Sequence, residues 1–353
     1  MPAKPSSVAR LVLAAFAILA VAAALSFAMW NADHYPKPIA KGLAVVFFLF
    51  SAPFLVLIHE LGHLSMALAF GWRVPILTLG GLSLRFSPLR FSAGAPAFPR
   101  ASGAVLAVPP EKGGERFAWI AVSFGGPGAN FLLAALAAWA GFAAAKDSTA
   151  YGMFLGVAGV SLVAGLFNLV PQGGSDGMHI LADLFARDFA ARGRLLRLLA
   201  QMVDGKRPRD WDTALVRSVE ADSIWRGDAH GPLYVYAWHL DRGEIPQARA
   251  VLRRIADHAD EPVHIEQAFL FAWLDNQPAA ARRFLSQATS WQSRRLPAYW
   301  RALTAVTLAE GDGAAAREAL RKWRTECKDW AYTTQDEWDW LATLESSVAA
   351  IAA

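Results

Sequence analysis

Two histidines and a glutamate sit inside an otherwise apolar stretch, LVLIHELGHLSMALAF, around residues 55–70. Ionisable side chains at membrane depth cost at least about 2.5 kcal/mol each and are kept where they do chemistry. His59 and His63 are four residues apart, so a helix brings both imidazoles to one face, one turn apart. Glu60 lies beside His59, one position off that face. This H-E-x-x-H spacing offers two neutral imidazoles to a zinc ion and sets a carboxylate beside the water such an ion activates. Two ligands are too few, because a catalytic zinc takes three from the protein and keeps one position open. Near the expected membrane segments the candidates for the third are Asp33, His34, Asp147, Asp176 and His179.

The elements that must carry these residues are membrane helices. Of the 353 residues 55% are hydrophobic and 18% charged, more apolar than a soluble chain, and the apolar residues crowd the first half. Residues 11–30 carry no charge and are long enough to span a bilayer. Lys4 and Arg10 before them also suit a cleaved signal peptide, but the length favours a retained helix. From Gly42 to Trp72 the only ionisable groups are His59, Glu60 and His63. Phe117 to Ala145 is uncharged, and so is the run between Asp147 and Asp176. Four spans are therefore expected.

Basic residues set their direction. With a cytoplasmic amino terminus, segments 1–10 and 73–116 lie inside and carry eight Lys and Arg, against Lys37, Lys41 and Lys146 outside. The same direction leaves the carboxyl half in the cytoplasm, led by Arg187, Arg192 and Arg194. The helices holding the histidines and ending at Asp176 then both run from outside to inside. Asp176 becomes the first choice for the third ligand and His179 the second, while Asp33, His34 and Asp147 fall on the opposite side. Standing alone, Asp176 in GGSDGMHILADLF would read as an ordinary helix cap. Residues 76–91 read as two short strands about Gly80–Gly81, a hairpin on the membrane surface or an edge for an extended substrate.

Beyond Met178 charges become frequent and no spanning run remains. Gly243, Ala248 and Leu252, then Asn276, Ala281 and Leu285, then Gly311, Ala316 and Leu320 repeat the same offsets, 33 and 35 residues apart. That is close to the 34-residue period of tetratricopeptide helix–turn–helix arrays; an irregular helical bundle is the plainer alternative. The single cysteine, Cys327, rules out an intrachain disulfide framework and a cysteine-rich zinc ribbon. A net charge of +4 with no dense basic run gives no reason to expect nucleic acid as a partner.

H-E-L-G-H in a membrane helix, followed by NLVPQGGSDG at 168–177, resembles the site-2 protease family of intramembrane zinc metalloproteases, whose second pattern is N-x-x-P-x-x-x-x-D-G. Asn168, Pro171, Asp176 and Gly177 match it, and GGPGAN (125–130) resembles the family's middle core helix, with Gly126 and Asn130 as its packing motif. The resemblance covers about 42–180. Ser175 departs from it, since an apolar residue commonly precedes Asp-Gly. The resemblance implies one Zn2+ per chain on His59, His63 and Asp176, with Glu60 as general base and Asn168 near the substrate or oxyanion.

The expected molecule is mainly α, a polytopic membrane protein with about four transmembrane helices and a short membrane-associated β-hairpin. Its parts are an extra helix and connection at 1–41, a metalloprotease core at 42–177 with a cytoplasmic loop at 73–116, a linker helix at 178–204 and a soluble helical tetratricopeptide-like domain at 205–353. It would sit in a bacterial inner membrane with both termini cytoplasmic. Its substrate would be a membrane protein with a transmembrane helix, and the helical domain could hold a protein partner; the oligomeric state is left open. The rival reading is an inactive membrane-tethered scaffold.

Overall fold

The computed structural model describes residues 37–80, 82–86, 89–93, 103–111, 114–144, 146, 149–185, 189–222, 230–256, 260–291, 293–329 and 334–352. The apolar run 11–30, Asp33, His34 and Asp147 lie outside them. The described chain falls into two compact units, one formed mainly by residues up to Phe189 and one mainly by Ala190–Ala353.

The first unit begins with α1 (Lys37–Ala69), which carries the H-E-L-G-H turn. Four strands follow along the chain, β1 (Arg73–Leu79), β2 (Leu82–Phe86), β3 (Leu89–Ala93) and β4 (Gly103–Val108), of which β1 and β4 belong to this unit and β2 and β3 group with the second. β1 pairs antiparallel with β4, Leu79 opposite Gly103 and Arg73 opposite Val108, with an irregularity between Arg73 and Ile76. Pro75 lies in that interval and has no N–H to give the ladder. β2 and β3 pair as an antiparallel hairpin in the same sheet, Leu82 opposite Ala93 and Phe86 opposite Leu89. Where two strands about Gly80–Gly81 were expected, three cover that stretch and a fourth arises from 103–108. GAVLAV is short and lacks strict alternation, so a period-2 search passes over it.

Two long apolar helices complete this unit, α2 (Arg116–Ala143) and α3 (Thr149–Leu169). By length and composition the spans Arg116–Ala143 and Tyr151–Leu169 can each cross a bilayer, and Pro53–Ala69 within α1 is a shorter apolar helix. They are joined by small residues and internal hydrogen bonds. Gly62 of α1 meets Gly125 of α2 so closely that a Cβ at Gly62 would lie 2.1 Å from the Gly125 carbonyl oxygen. Ser161 of α3 donates to the Asn130 carbonyl of α2 at 2.8 Å. Such backbone approach is how apolar helices associate without a hydrophobic driving force. After a turn, α4 (Asp176–Phe185) follows.

The expected linker helix is two helices, α4 and α5 (Phe189–Val203). The second unit continues with α6 (Thr213–Ala221), α7 (His230–Asp241), α8 (Ile245–Arg254), α9 (Glu261–Trp273), α10 (Pro278–Leu285), α11 (Pro297–Ala309), α12 (Gly313–Asp329) and α13 (Gln335–Ala352). The repeating residues mark three helix hairpins, α7–α8, α9–α10 and α11–α12. Gly243, Asn276 and Gly311 all take left-handed φ, at 73°, 49° and 79°. Behind Gly243 and Gly311 the same two bonds close the helix: Gly243 N–H to Leu240 O with Glu244 N–H to His239 O, and Gly311 N–H to Leu308 O with Asp312 N–H to Thr307 O. Ala248, Ala281 and Ala316 are fully buried, leaving no room for larger side chains where each second helix returns. Trp238, Phe269 and Trp323 fill the core between these helices.

Candidate metal centre

Three elements of the first unit converge on one point. His59 and His63 lie on the same face of α1, and Asp176 opens α4. His59 Nε2 is 2.9 Å from Asp176 Oδ2, His63 Nε2 is 3.2 Å from Asp176 Oδ1, and the two Nε2 atoms are 3.2 Å apart. Tetrahedral zinc with bonds of about 2.0–2.1 Å holds its ligand atoms roughly 3.3 Å apart. The three residues therefore fit such an ion with little adjustment. Among the described residues this is the cluster of histidine and acidic groups able to hold a metal. His179, the second choice, is exposed on α4 and lies outside that cluster.

Asp176 is free for this task because another residue caps the helix. Ser175 Oγ accepts the Met178 N–H at 3.2 Å and donates to the Val170 carbonyl at 2.7 Å. The cap that Asp176 would supply on its own is thus supplied by its neighbour. The residue that departs from the family pattern ties the turn together, and serine's preference for the N-cap was the available signal.

The imidazoles are held by α2. His63 Nδ1 lies 2.7 Å from the Val122 carbonyl, so Nδ1 carries the proton and Nε2 keeps its lone pair for a metal. The amide of Asn130, itself buried, lies 3.2 Å from His59 Nδ1, and its Oδ1 has no hydrogen-bond partner among the described residues. Turning the amide about its last bond puts Oδ1 on a protonated Nδ1 and leaves His59 Nε2 available as well. Asn130 is therefore more than a packing residue. Gly126 has a steric role: a Cβ there would fall 2.4 Å from His63 Nε2 and 2.5 Å from His59 Nε2. Only hydrogen fits.

Glu60 is 5% exposed and reaches the start of β4, where a Cβ on Gly103 would come within 2.6 Å of its Oε1. Gly103 was not singled out in the sequence, since nothing in a lone glycine 43 positions away announces a carboxylate neighbour. Asn168 is not drawn into the cluster; its Nδ2 donates to the Ala164 carbonyl one turn back on α3 at 3.1 Å.

Residues 47–153 match the family model of peptidase family M50. No curated protein and no solved structure matches the chain. The matched segment holds His59, Glu60, His63, Gly126 and Asn130, while Asp176 lies beyond it and is brought in by the fold. The segment 47–153 is thus similar to peptidase family M50, the site-2 protease family.

Proposed function

We propose that the chain is an intramembrane zinc endopeptidase that hydrolyses a peptide bond in or near a transmembrane segment of another membrane protein. The observation that carries this reading is the meeting of His59, His63 and Asp176 beside a buried glutamate, with both histidines and the glutamate inside the segment that matches peptidase family M50 and apolar helices around them. His59, His63 and Asp176 would hold the ion. Zinc bound there would supply Lewis acidity, making water a nucleophile near neutral pH and polarising a carbonyl.

The remaining steps fall to the chain's own groups. Glu60 takes a proton from the attacking water as its oxygen bonds to the scissile carbonyl carbon. It then returns that proton to the amide nitrogen as the C–N bond breaks, leaving an acid and an amine. Asn168 keeps one amide hydrogen beyond its bond to Ala164, enough to donate to the oxyanion. Val122 and Asn130 orient the imidazoles. The four-span topology, cytoplasmic termini and bacterial inner-membrane location belong to the same proposal, with the helical unit selecting or regulating substrates. The completeness of the His, Glu and Asp set weighs against an inactive scaffold.

The test is cleavage of a single-helix membrane reporter by the full-length chain in detergent. Glu60→Gln should lower the rate about 10²–10⁴-fold, the range for loss of a general base. Chelation should abolish cleavage and added zinc restore it. Undiminished cleavage by the Glu60→Gln chain would contradict the proposal.

A further inference from the structure

The helical unit contains a cavity of about 270 Å³, walled by Trp211, Leu233, Ile265, Leu296 and Trp340 and floored by charged groups. Four carboxylates line it, those of Asp241, Glu266, Asp336 and Glu337, against one guanidinium, that of Arg301. Asp241 is matched from outside the cavity, by Arg207 at 2.7–3.0 Å and by Arg209 at 3.1–3.3 Å. Arg301, 4% exposed, binds both oxygens of Glu266 through Nη2 at 2.7 Å and reaches Glu337 through Nη1. Three carboxylates thus share one cation in a largely dry place. Burial pushes the Glu337 carboxyl up to about 7; Arg301 opposes the rise, and Asp336 and Glu266 add to it. The set lacks positive charge.

A second observation comes from Tyr236. Its side chain is 2% exposed and lines the same cavity. Its hydroxyl has no partner at ordinary hydrogen-bond length among the described residues; the Glu266 carboxylate is the group near enough to interact with it, leaving the hydroxyl's lone pairs unused. A buried hydroxyl in that state is costly unless something fills the place. The fold has left an acceptor beside surplus carboxylates, under walls suited to an aliphatic stem.

We infer that this cavity binds one lysine or arginine side chain of an extended polypeptide, its stem between Trp211, Leu233 and Trp340 and its charged head among Asp336, Glu337 and Tyr236. The volume is below the range of cavities that hold drug-sized ligands and admits one side chain rather than a folded surface. A divalent cation fits poorly, because half of such a coordination sphere would face apolar walls and a guanidinium. A source for the segment rests on the peptidase reading: cytoplasmic flanks of membrane helices are rich in Lys and Arg, and a substrate's flank would offer the side chain.

The test uses the full-length Glu60→Gln chain in detergent, so binding is read without cleavage and a failure of the peptidase reading leaves the result standing. A fluorescent heptapeptide, Ser-Gly-Leu-Lys-Leu-Gly-Ser, is compared with the same peptide carrying norleucine for lysine. The lysine peptide should bind at least about tenfold more tightly, the loss expected for removing one member of a buried charge pair. Glu337→Gln and, separately, Asp336→Asn should weaken the lysine peptide by a similar factor and leave the norleucine peptide unchanged; using both keeps the test alive if one chain misfolds. Equal binding of the two peptides, or no binding of either, overturns the inference. Displacement of the lysine peptide by an equal concentration of n-butylamine would overturn the polypeptide assignment in favour of a free amine.

Discussion

Both units bury ionisable side chains, and they neutralise them in opposite ways. In the first unit His59, His63 and Asp176 aim lone pairs at one point and bring no cation of their own. In the second, Glu266 and Glu337 are met by a guanidinium that the same unit supplies. The first arrangement is one that could hold a metal; the second is complete as a structural clamp apart from its surplus carboxylates. Glycine tells the two apart as well. In the first unit it brings backbones and imidazoles within van der Waals reach, at Gly62, Gly125 and Gly126; in the second it ends helices in the left-handed region, at Gly243 and Gly311. The one use builds a site, and the other builds a repeat.

The difference can be broken first at Arg301. Arg301→Met leaves Glu266 and Glu337 buried without their partner, and should cost about 3–5 kcal/mol of stability. Thermal unfolding followed by the tryptophans of the helical unit should show a large drop, with zinc content unchanged. A drop shared by zinc binding would mean that the two units do not keep their charges independently.

Changes in the first unit should have the opposite signature. Gly126→Ala sets a methyl group against both Nε2 atoms and should weaken zinc binding by about 100-fold. Asn130→Leu, which removes the partner of His59 Nδ1, should weaken it by about 10-fold; together they bracket the cost of disturbing a ligand's orientation. Chelator competition reads both. Asn130→Asp keeps an oxygen acceptor and should retain the ion. Loss with aspartate but not with leucine would show that the amide donates to His59.

A smaller effect concerns pH. Glu337 is held at about 7 by burial, against 4.5 for the unfolded chain. Between those values the folded state keeps a proton that the unfolded state has released, so stability falls as pH rises through the interval and levels off above it. The fall should be on the order of 1–3 kcal/mol. Asp336, also raised by burial, acts in the same direction. Unfolding midpoints at pH 5, 6 and 8 should show the slope in the parent chain and a flatter one in Glu337→Gln.

How much of this could be read from the sequence depended on whether the cause was local. The imidazole pair was legible because four residues of helix fix its geometry, and the three hairpins because a left-handed residue and a small alanine recur at set offsets. Asp176 emerged only by reasoning about the direction of the helices, 113 positions from His63. Gly103 against Glu60 and Asn130 against His59 are tertiary contacts with no local pattern, so the first went unnoticed and the second was taken for packing. The cavity of the helical unit is further still from legibility. Its floor draws on α7, α9, α11 and α13, and no one segment looks acidic. The strand pairing about Gly80 was half seen, since β4 has no alternation to betray it.

The central claim is that His59, His63 and Asp176 hold one zinc ion while Glu60 works beside it without binding it. Metal analysis of the purified full-length chain and four single variants tests this most directly. The expected result is about one zinc per chain in the parent and in Glu60→Gln, and a small fraction of that in His59→Ala, His63→Ala and Asp176→Ala, with the tryptophan unfolding of the helical unit unchanged in all five. Full zinc occupancy in Asp176→Ala, or its loss in Glu60→Gln, would contradict the assignment of the site.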